Sequence, residues 1–158
     1  MHQLFNTLYA NKTVIITRGL SGSGKSTIAQ TIAGSASYNN CSVAIHETDQ
    51  YFMVDGEYKF DPSLIRVNHS KNFEAFCNSI DDGVHIVINS NTNTRHWEYM
   101  NYVEYASKNG YNVQIIDLYD NGFTTEELHK RQLHDFPIEK YELVRDGYER
   151  TFTSEIPF

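Results

Sequence analysis

Six residues rich in β-branched side chains, Thr13-Val14-Ile15-Ile16-Thr17-Arg18, run directly into Gly19-Leu20-Ser21-Gly22-Ser23-Gly24-Lys25-Ser26-Thr27. The second stretch satisfies G-x-x-x-x-G-K-[ST], with a strand-like segment before it and a helix-like segment after. Glycines let the backbone turn its N–H groups onto a phosphate, and the following helix N-terminus adds positive potential. In such a loop Lys25 reaches the β- and γ-phosphates and the Ser26 hydroxyl ligates Mg²⁺. Residues Gly19 to Thr27 are therefore expected to bind ATP with Mg²⁺. A glycine-rich turn that binds nothing is the competing reading, and the flanking strand and helix disfavour it. No Asn-Lys-x-Asp guanine signature accompanies the loop.

The rest of the chain alternates in the same way. Strands are expected over 41–47, 84–88 and 113–118, besides 13–18. Helices are expected from Lys25 to about 36, from Pro62 to about 80, over 94–108 and 124–134, and from Pro137 to about 150. Asp61 and Thr94 are suited to N-capping, and 48–61 reads as a loop. The helix from Pro62 is expected to present Leu64, Ile65, Phe73, Phe76 and Ile80 to the core. Repeated strand–helix units imply an α/β fold with a parallel sheet covered on both faces. The expected architecture is a three-layer α/β/α P-loop NTPase sandwich, nucleotide-kinase-like, with about four parallel strands and a helical lid. One domain over 1–158 is expected, with 151–158 reading as a tail.

Charge bears on the partner. Asp and Glu outnumber Lys and Arg 20 to 13, for a formal net charge of −7. A protein that grips a long duplex carries excess cations, so a polynucleotide fits only by an end or a local basic patch. No apolar run reaches the roughly 20 residues of a membrane helix, and no signal peptide is expected at the start. Cys41 and Cys77 are too few for a disulfide framework, which fits a cytoplasmic, or intracellular phage-encoded, setting.

Parallel sheets bind ligands beyond the C-terminal ends of their strands. That rule gathers the phosphate loop, Thr48 to Phe52, Asn89 to Asn93 and 120–125 on one rim. Asp49 lies just past the second strand and is the candidate general base for an acceptor hydroxyl; a turn cap is its ordinary alternative. Glu47 is a weaker rival for the base. Tyr51 and Phe52 are candidates to stack on an acceptor, or else are core. The third strand end carries no acid; Asn91 and Asn93 are candidate acceptor contacts through hydrogen bonds. Arg131, beside Lys130, is the candidate lid arginine for transition-state charge, unless it belongs to a solvated helix face. His129 and His134 have no ligand partner at metal-binding spacing.

With these residues placed, the chain resembles the small P-loop kinases related to bacteriophage polynucleotide 5′-hydroxyl kinase, and the P-loop domain of the Nedd-type ubiquitin ligase-binding family. The resemblance covers about 14–149. It rests on Arg18 to Thr27, Thr48-Asp49-Gln50-Tyr51-Phe52, Gly56-Glu57-Tyr58-Lys59-Phe60-Asp61-Pro62 and His69 with Asn72. It continues in Asn91-Thr92-Asn93-Thr94, Trp97-Glu98, Gly110-Tyr111, and Lys130-Arg131 with His134 and Pro137. The resemblance implies that Asp49 is the base and that Arg131 contacts the donor phosphates. It implies an ATP-dependent kinase acting on a hydroxyl, first of all the 5′-hydroxyl end of DNA or RNA, as in nucleic acid repair. Three positions depart from the pattern. Asn91 stands where the phage enzyme has a carboxylate, Ser90 where the ligase-binding relatives have an acid, and Phe52 where the phage enzyme has an arginine for the acceptor's 3′-phosphate. Two further readings follow: a nucleoside or other small hydroxyl compound as acceptor, or an ATP-binding regulatory module with little transfer.

Overall fold

The structure, a computed structural model, describes residues 10–151. Strand β1 (Thr13–Arg18) feeds the phosphate loop and helix α1 (Lys25–Tyr38). Strand β2 (Val43–His46) follows, then a 3₁₀ turn over Thr48–Phe52 and a short hairpin, β3 (Met53–Val54) and β4 (Glu57–Tyr58). After a second 3₁₀ turn (Pro62–Leu64) come α2 (Ile65–Asp81), β5 (Ile86–Ser90), α3 (Trp97–Lys108) and β6 (Asn112–Asp117). The chain then forms α4 (Thr125–Arg131), a 3₁₀ turn (Ile138–Lys140) and α5 (Tyr141–Asp146).

The main sheet has four strands in the order β2-β5-β1-β6, all parallel. Side chains alternate across it, as a strand's two-residue period requires. On one face Val14, Ile16 and Val87 pack on Phe76 and Ile80 of α2 and on Tyr99, Tyr102 and Ala106 of α3. On the other face Ile15, Ile86 and Ile88 pack on Ala29 and Ala36 of α1. These are the expected three layers. A third cluster, Leu20 with Leu128 and Tyr141, joins the phosphate loop to α4 and α5.

Several local expectations need correction. The segment 48–61 is structured by a 3₁₀ turn and a hairpin, whose two-residue strands are too short to show a period. Asp61 caps as expected, accepting from the Ser63 amide at 2.9 Å, but it caps a 3₁₀ turn that precedes α2. Leu64 and Ile65 are exposed, because the first half of α2 faces the 3₁₀ turn through Asn68, whose amide donates to the Tyr51 carbonyl at 3.3 Å. Thr94 is not an N-cap. Its amide and hydroxyl donate to the Glu98 carboxylate, and α3 starts only at Trp97. Strand β5 runs two residues past the expected end, burying Asn89 and Ser90.

Helix α4 has a capping box between Thr124 and Glu127 but ends at Arg131. The Gln132 side chain there accepts from the amides of His134 and Phe136 and holds the following loop. The last helix ends before Gly147. Thr151 is held by Asp117, its amide donating to Oδ2 at 2.8 Å, so it is no free tail; 152–158 lie outside the described residues.

Candidate active site

The phosphate loop is fixed from three sides. The Gly19 amide donates to the Thr92 carbonyl at 3.0 Å and the Leu20 amide to the Tyr119 carbonyl at 2.9 Å. The Tyr141 hydroxyl donates to the Ser21 carbonyl at 3.1 Å. Gly22 has φ 84°, and a Cβ there would lie 2.3 Å from the Leu128 carbonyl oxygen. The lid helix is thus seated directly on the loop backbone. Gly24, with φ 107°, takes the left-handed turn that starts α1.

Lys25 is buried, and its ammonium donates to the Leu20 carbonyl at 2.8 Å. Burial pulls its pKa down from 10.5 to about 8, although the carboxylates of Asp49 and Glu47 work against the fall. The Ser26 hydroxyl donates to Glu47 Oε1 at 3.2 Å. Two hard oxygen donors therefore meet beside the phosphate loop, the donor type that Mg²⁺ takes together with phosphate oxygens. Among the described residues no group of three His, Cys, Asp or Glu forms a metal site alone.

Asp49 sits on the 3₁₀ turn after β2. The Tyr58 hydroxyl donates to its Oδ1 at 3.4 Å, and His134 Nε2 from the lid lies 3.7 Å from its Oδ2. The Tyr58 and His134 rings stack with centroids 4.4 Å apart. Burial, with the Asp49 charge second, pushes the Tyr58 hydroxyl up to about 12. Arg131 donates through Nε to the Gly22 carbonyl at 3.1 Å, its guanidinium 4.2 Å from the Phe123 ring centre.

Lys25, Ser26, Thr27, Glu47, Asp49, Ser90, Asn91 and Arg131 line one cavity of about 290 Å³. Its far wall is Phe52, Phe60, Ile65, His69, Leu133 and His134. Other expected contacts go elsewhere. Asn93 is buried, its amide donating to the Thr17 carbonyl at 2.9 Å, so it ties β1 to β5 and does not reach the cavity. Tyr51 points to the Lys71 carbonyl, 3.4 Å from its hydroxyl, and is not on the cavity wall. Asn91 lines the cavity, but its Oδ1 accepts from the Thr48 amide at 2.9 Å, fixing the turn that carries Asp49.

Tyr58, Phe60, His69 and the approach of His134 to Asp49 were not legible as site features. Glycine at Gly56, with φ 83°, was the one local sign of a turn that folds Tyr58 back. Arg18 was also missed. Fully buried, it pairs with Asp117 Oδ2 at 3.1 Å and donates to the carbonyls of Asn93 at 2.8 Å and Thr94 at 3.2 Å. It also bonds the Thr151 hydroxyl and the Glu149 carbonyl, and lies between the rings of Tyr99 and Tyr148. Burial alone would raise the Asp117 pKa. Its hydrogen bonds from Tyr148 and Thr151 and the Arg18 charge outweigh that and hold it below the usual carboxylate value.

The comparisons with known proteins agree with this architecture. A family model described as AAA domain matches residues 14–152. Human (Homo sapiens) NEDD4-binding protein 2 is 32% identical over 146 residues, covering 91% of this chain. The chain spans 8% of that relative's length. Among solved structures, a chain of the Pnkp1/Rnl/Hen1 RNA repair complex superposes with TM-score 0.61 at 18% identity, covering 86% of this chain and 44% of that one. Mycobacterium tuberculosis APS kinase CysC, in complex with AMPPNP and APS, gives TM-score 0.52 at 16% identity, covering 68% of this chain and 62% of that one. The relation read from the motifs stands, and the fold is that of a P-loop kinase. Among the described residues no helix is long and apolar enough to cross a membrane.

Proposed function

Since the chain belongs to the AAA domain family, we propose that it is an ATP-dependent phosphotransferase that moves the γ-phosphate to a hydroxyl, with Asp49 as general base. The observation that carries this is the joint presence of Lys25, Asp49 and Arg131 on one cavity. The loop amides and Lys25 hold the phosphates, and Lys25 exchanges its Leu20 contact for phosphate oxygens. Asp49 takes the proton of the attacking hydroxyl, oriented by Tyr58. Arg131, anchored to Gly22, is the candidate to neutralise charge on the transferred group. Mg²⁺, held by Ser26 with the phosphates, supplies charge neutralisation when bound.

The first acceptor is the 5′-hydroxyl end of DNA or RNA. That reading rests on the family motifs and on fold similarity to a chain of an RNA repair complex. A specific observation favours a second acceptor, a nucleoside or other small neutral hydroxyl compound. The Lys and Arg side chains on the cavity wall, Lys25 and Arg131, lie at the phosphate end, while Phe52, Phe60, Ile65 and Leu133, with His69 and His134, form the other side. The free cysteines Cys41 and Cys77 suit a reducing, cytoplasmic setting. Incubation with γ-labelled ATP, Mg²⁺ and either 5′-hydroxyl oligonucleotides or nucleosides tests the proposal. Transfer to oligonucleotides that Asp49→Ala abolishes supports the first acceptor. Transfer to nucleosides alone supports the second. Tight ATP binding without transfer to any hydroxyl overturns the kinase reading in favour of a regulatory module.

A further inference from the structure

Glu47 has no part in the scheme above, yet it sits half-buried just past β2, with its carboxylate turned to the phosphate loop. Its Oε1 lies 3.2 Å from the Ser26 hydroxyl, the group that a P-loop offers to a metal ion. The next carboxylate, Asp49, is engaged differently, with Tyr58 and the lid residue His134. Strand β5, beside β2 in the sheet, ends at Ser90, is followed by Asn91, and brings no acid to this side of the cavity. Ser90 is 6% exposed and lines the cavity, and its hydroxyl has no partner among the described residues. A buried hydroxyl at a cavity wall calls for a polar ligand there.

We propose that Glu47 supplies the carboxylate that holds the Mg²⁺ of the incoming nucleotide, beside the Ser26 hydroxyl, in place of the acid that β5 lacks. The ion prefers one or two carboxylates plus phosphate oxygens and water, all hard donors. Glu47 and Asp49 then divide the labour within three residues. The first faces the metal; the second, two residues further along the chain, faces the acceptor. The proposal rests on the nucleotide-binding half of the kinase reading and needs no transfer step.

The test is therefore a binding measurement on the whole chain. A fluorescent ATP analogue is titrated in EDTA and again at rising Mn²⁺, with bound Mn²⁺ also counted by its paramagnetic resonance signal. In the wild type, metal tightens nucleotide binding. In Glu47→Gln that tightening, and the Mn²⁺ affinity of the nucleotide complex, fall by about 10-fold or more. Affinity in EDTA stays the same or improves, since a carboxylate near the phosphates has been neutralised. Adding Ser90→Asp to Glu47→Gln restores part of the metal dependence from the neighbouring strand end. Wild-type metal dependence in Glu47→Gln overturns the proposal, and so does loss of transfer with metal dependence intact, which would make Glu47 the base. If Glu47→Gln loses the fold, Glu47→Asp decides in its place: weakened metal dependence supports the assignment and unchanged dependence overturns it. A wild type that binds no nucleotide overturns both this proposal and the kinase reading, whereas the other failures overturn this one alone.

Discussion

The two ends of the cavity are built from different materials. At the phosphate end the structural work is done by main chain: amides of Gly19 and Leu20 anchored to Thr92 and Tyr119, and Gly22 pressed against the backbone of α4. At the far end the wall is side chain, from a 3₁₀ turn (Phe52), the start of α2 (Ile65, His69) and two loops (Phe60, Leu133 and His134). Phe60 there is 55% exposed and Leu133 82%, while Leu20 and Leu128 under the loop are sealed. A site made of backbone amides recognises phosphate whatever the neighbouring side chains are. A site made of side chains can be rewritten by single substitutions, and Phe52, one of the family departures, falls on that end. Donor and acceptor recognition are thus separable in this fold.

The sharpest way to break that separation is Asp49→Asn. Transfer should fall by about 100- to 10,000-fold, with the ATP dissociation constant unchanged; single-turnover kinetics with parallel nucleotide titration checks it. If ATP binding falls equally, the two ends are not independent. Lys25→Met should abolish nucleotide binding and yet stabilise the free protein, because a buried ammonium with pKa about 8 is costly to hold. Between 10.5 and 8, at about 1.4 kcal/mol per pH unit, the gain is about 3 kcal/mol at pH 7. The sign is testable. Below pH 8 the ammonium is charged in both states and its cost is complete. From pH 8 to 10.5 the folded protein has lost the proton that the unfolded chain retains. The stability gap between wild type and Lys25→Met, read by denaturant melts, should therefore close across that window.

Gly22→Ala should cost at least about 2 kcal/mol, from a left-handed backbone and the collision with the Leu128 carbonyl. Its signature is a lower melting temperature together with weaker nucleotide binding, since lid and loop move as one. Phe60→Ala is the smallest effect. The side chain is mostly exposed, so stability should change by less than about 1 kcal/mol. The acceptor KM should rise several-fold while the ATP KM holds, and steady-state kinetics with each substrate varied separates the two.

The same contrast explains what the sequence disclosed. The phosphate loop was legible because its conformation follows from glycines at fixed spacing between a β-branched run and a helix. The sheet was legible because Val14, Ile15, Ile16 and the segment 86–88 are apolar on both faces, as a covered parallel strand must be. Asn89 and Ser90 were misplaced into a loop because they are polar, although they sit buried in an interior strand. The hairpin was hidden by its length. The approach of His134 to Asp49 depends on how the lid folds back, which no local pattern records.

Arg18 has a consequence for anyone who wants to cut or graft this unit. Its guanidinium, sealed at the root of the phosphate loop, draws acceptors from three separate stretches: Asn93 and Thr94, Asp117, and finally Glu149 and Thr151. The last pair makes the end of the described chain a rivet through the base of the nucleotide site. A boundary drawn before residue 149 would remove two partners of a buried cation, and stripping partners from such a charge costs several kcal/mol. A boundary drawn after 151 leaves the rivet whole, so whatever is attached beyond it pulls on Asp117 and β6 before it reaches the loop.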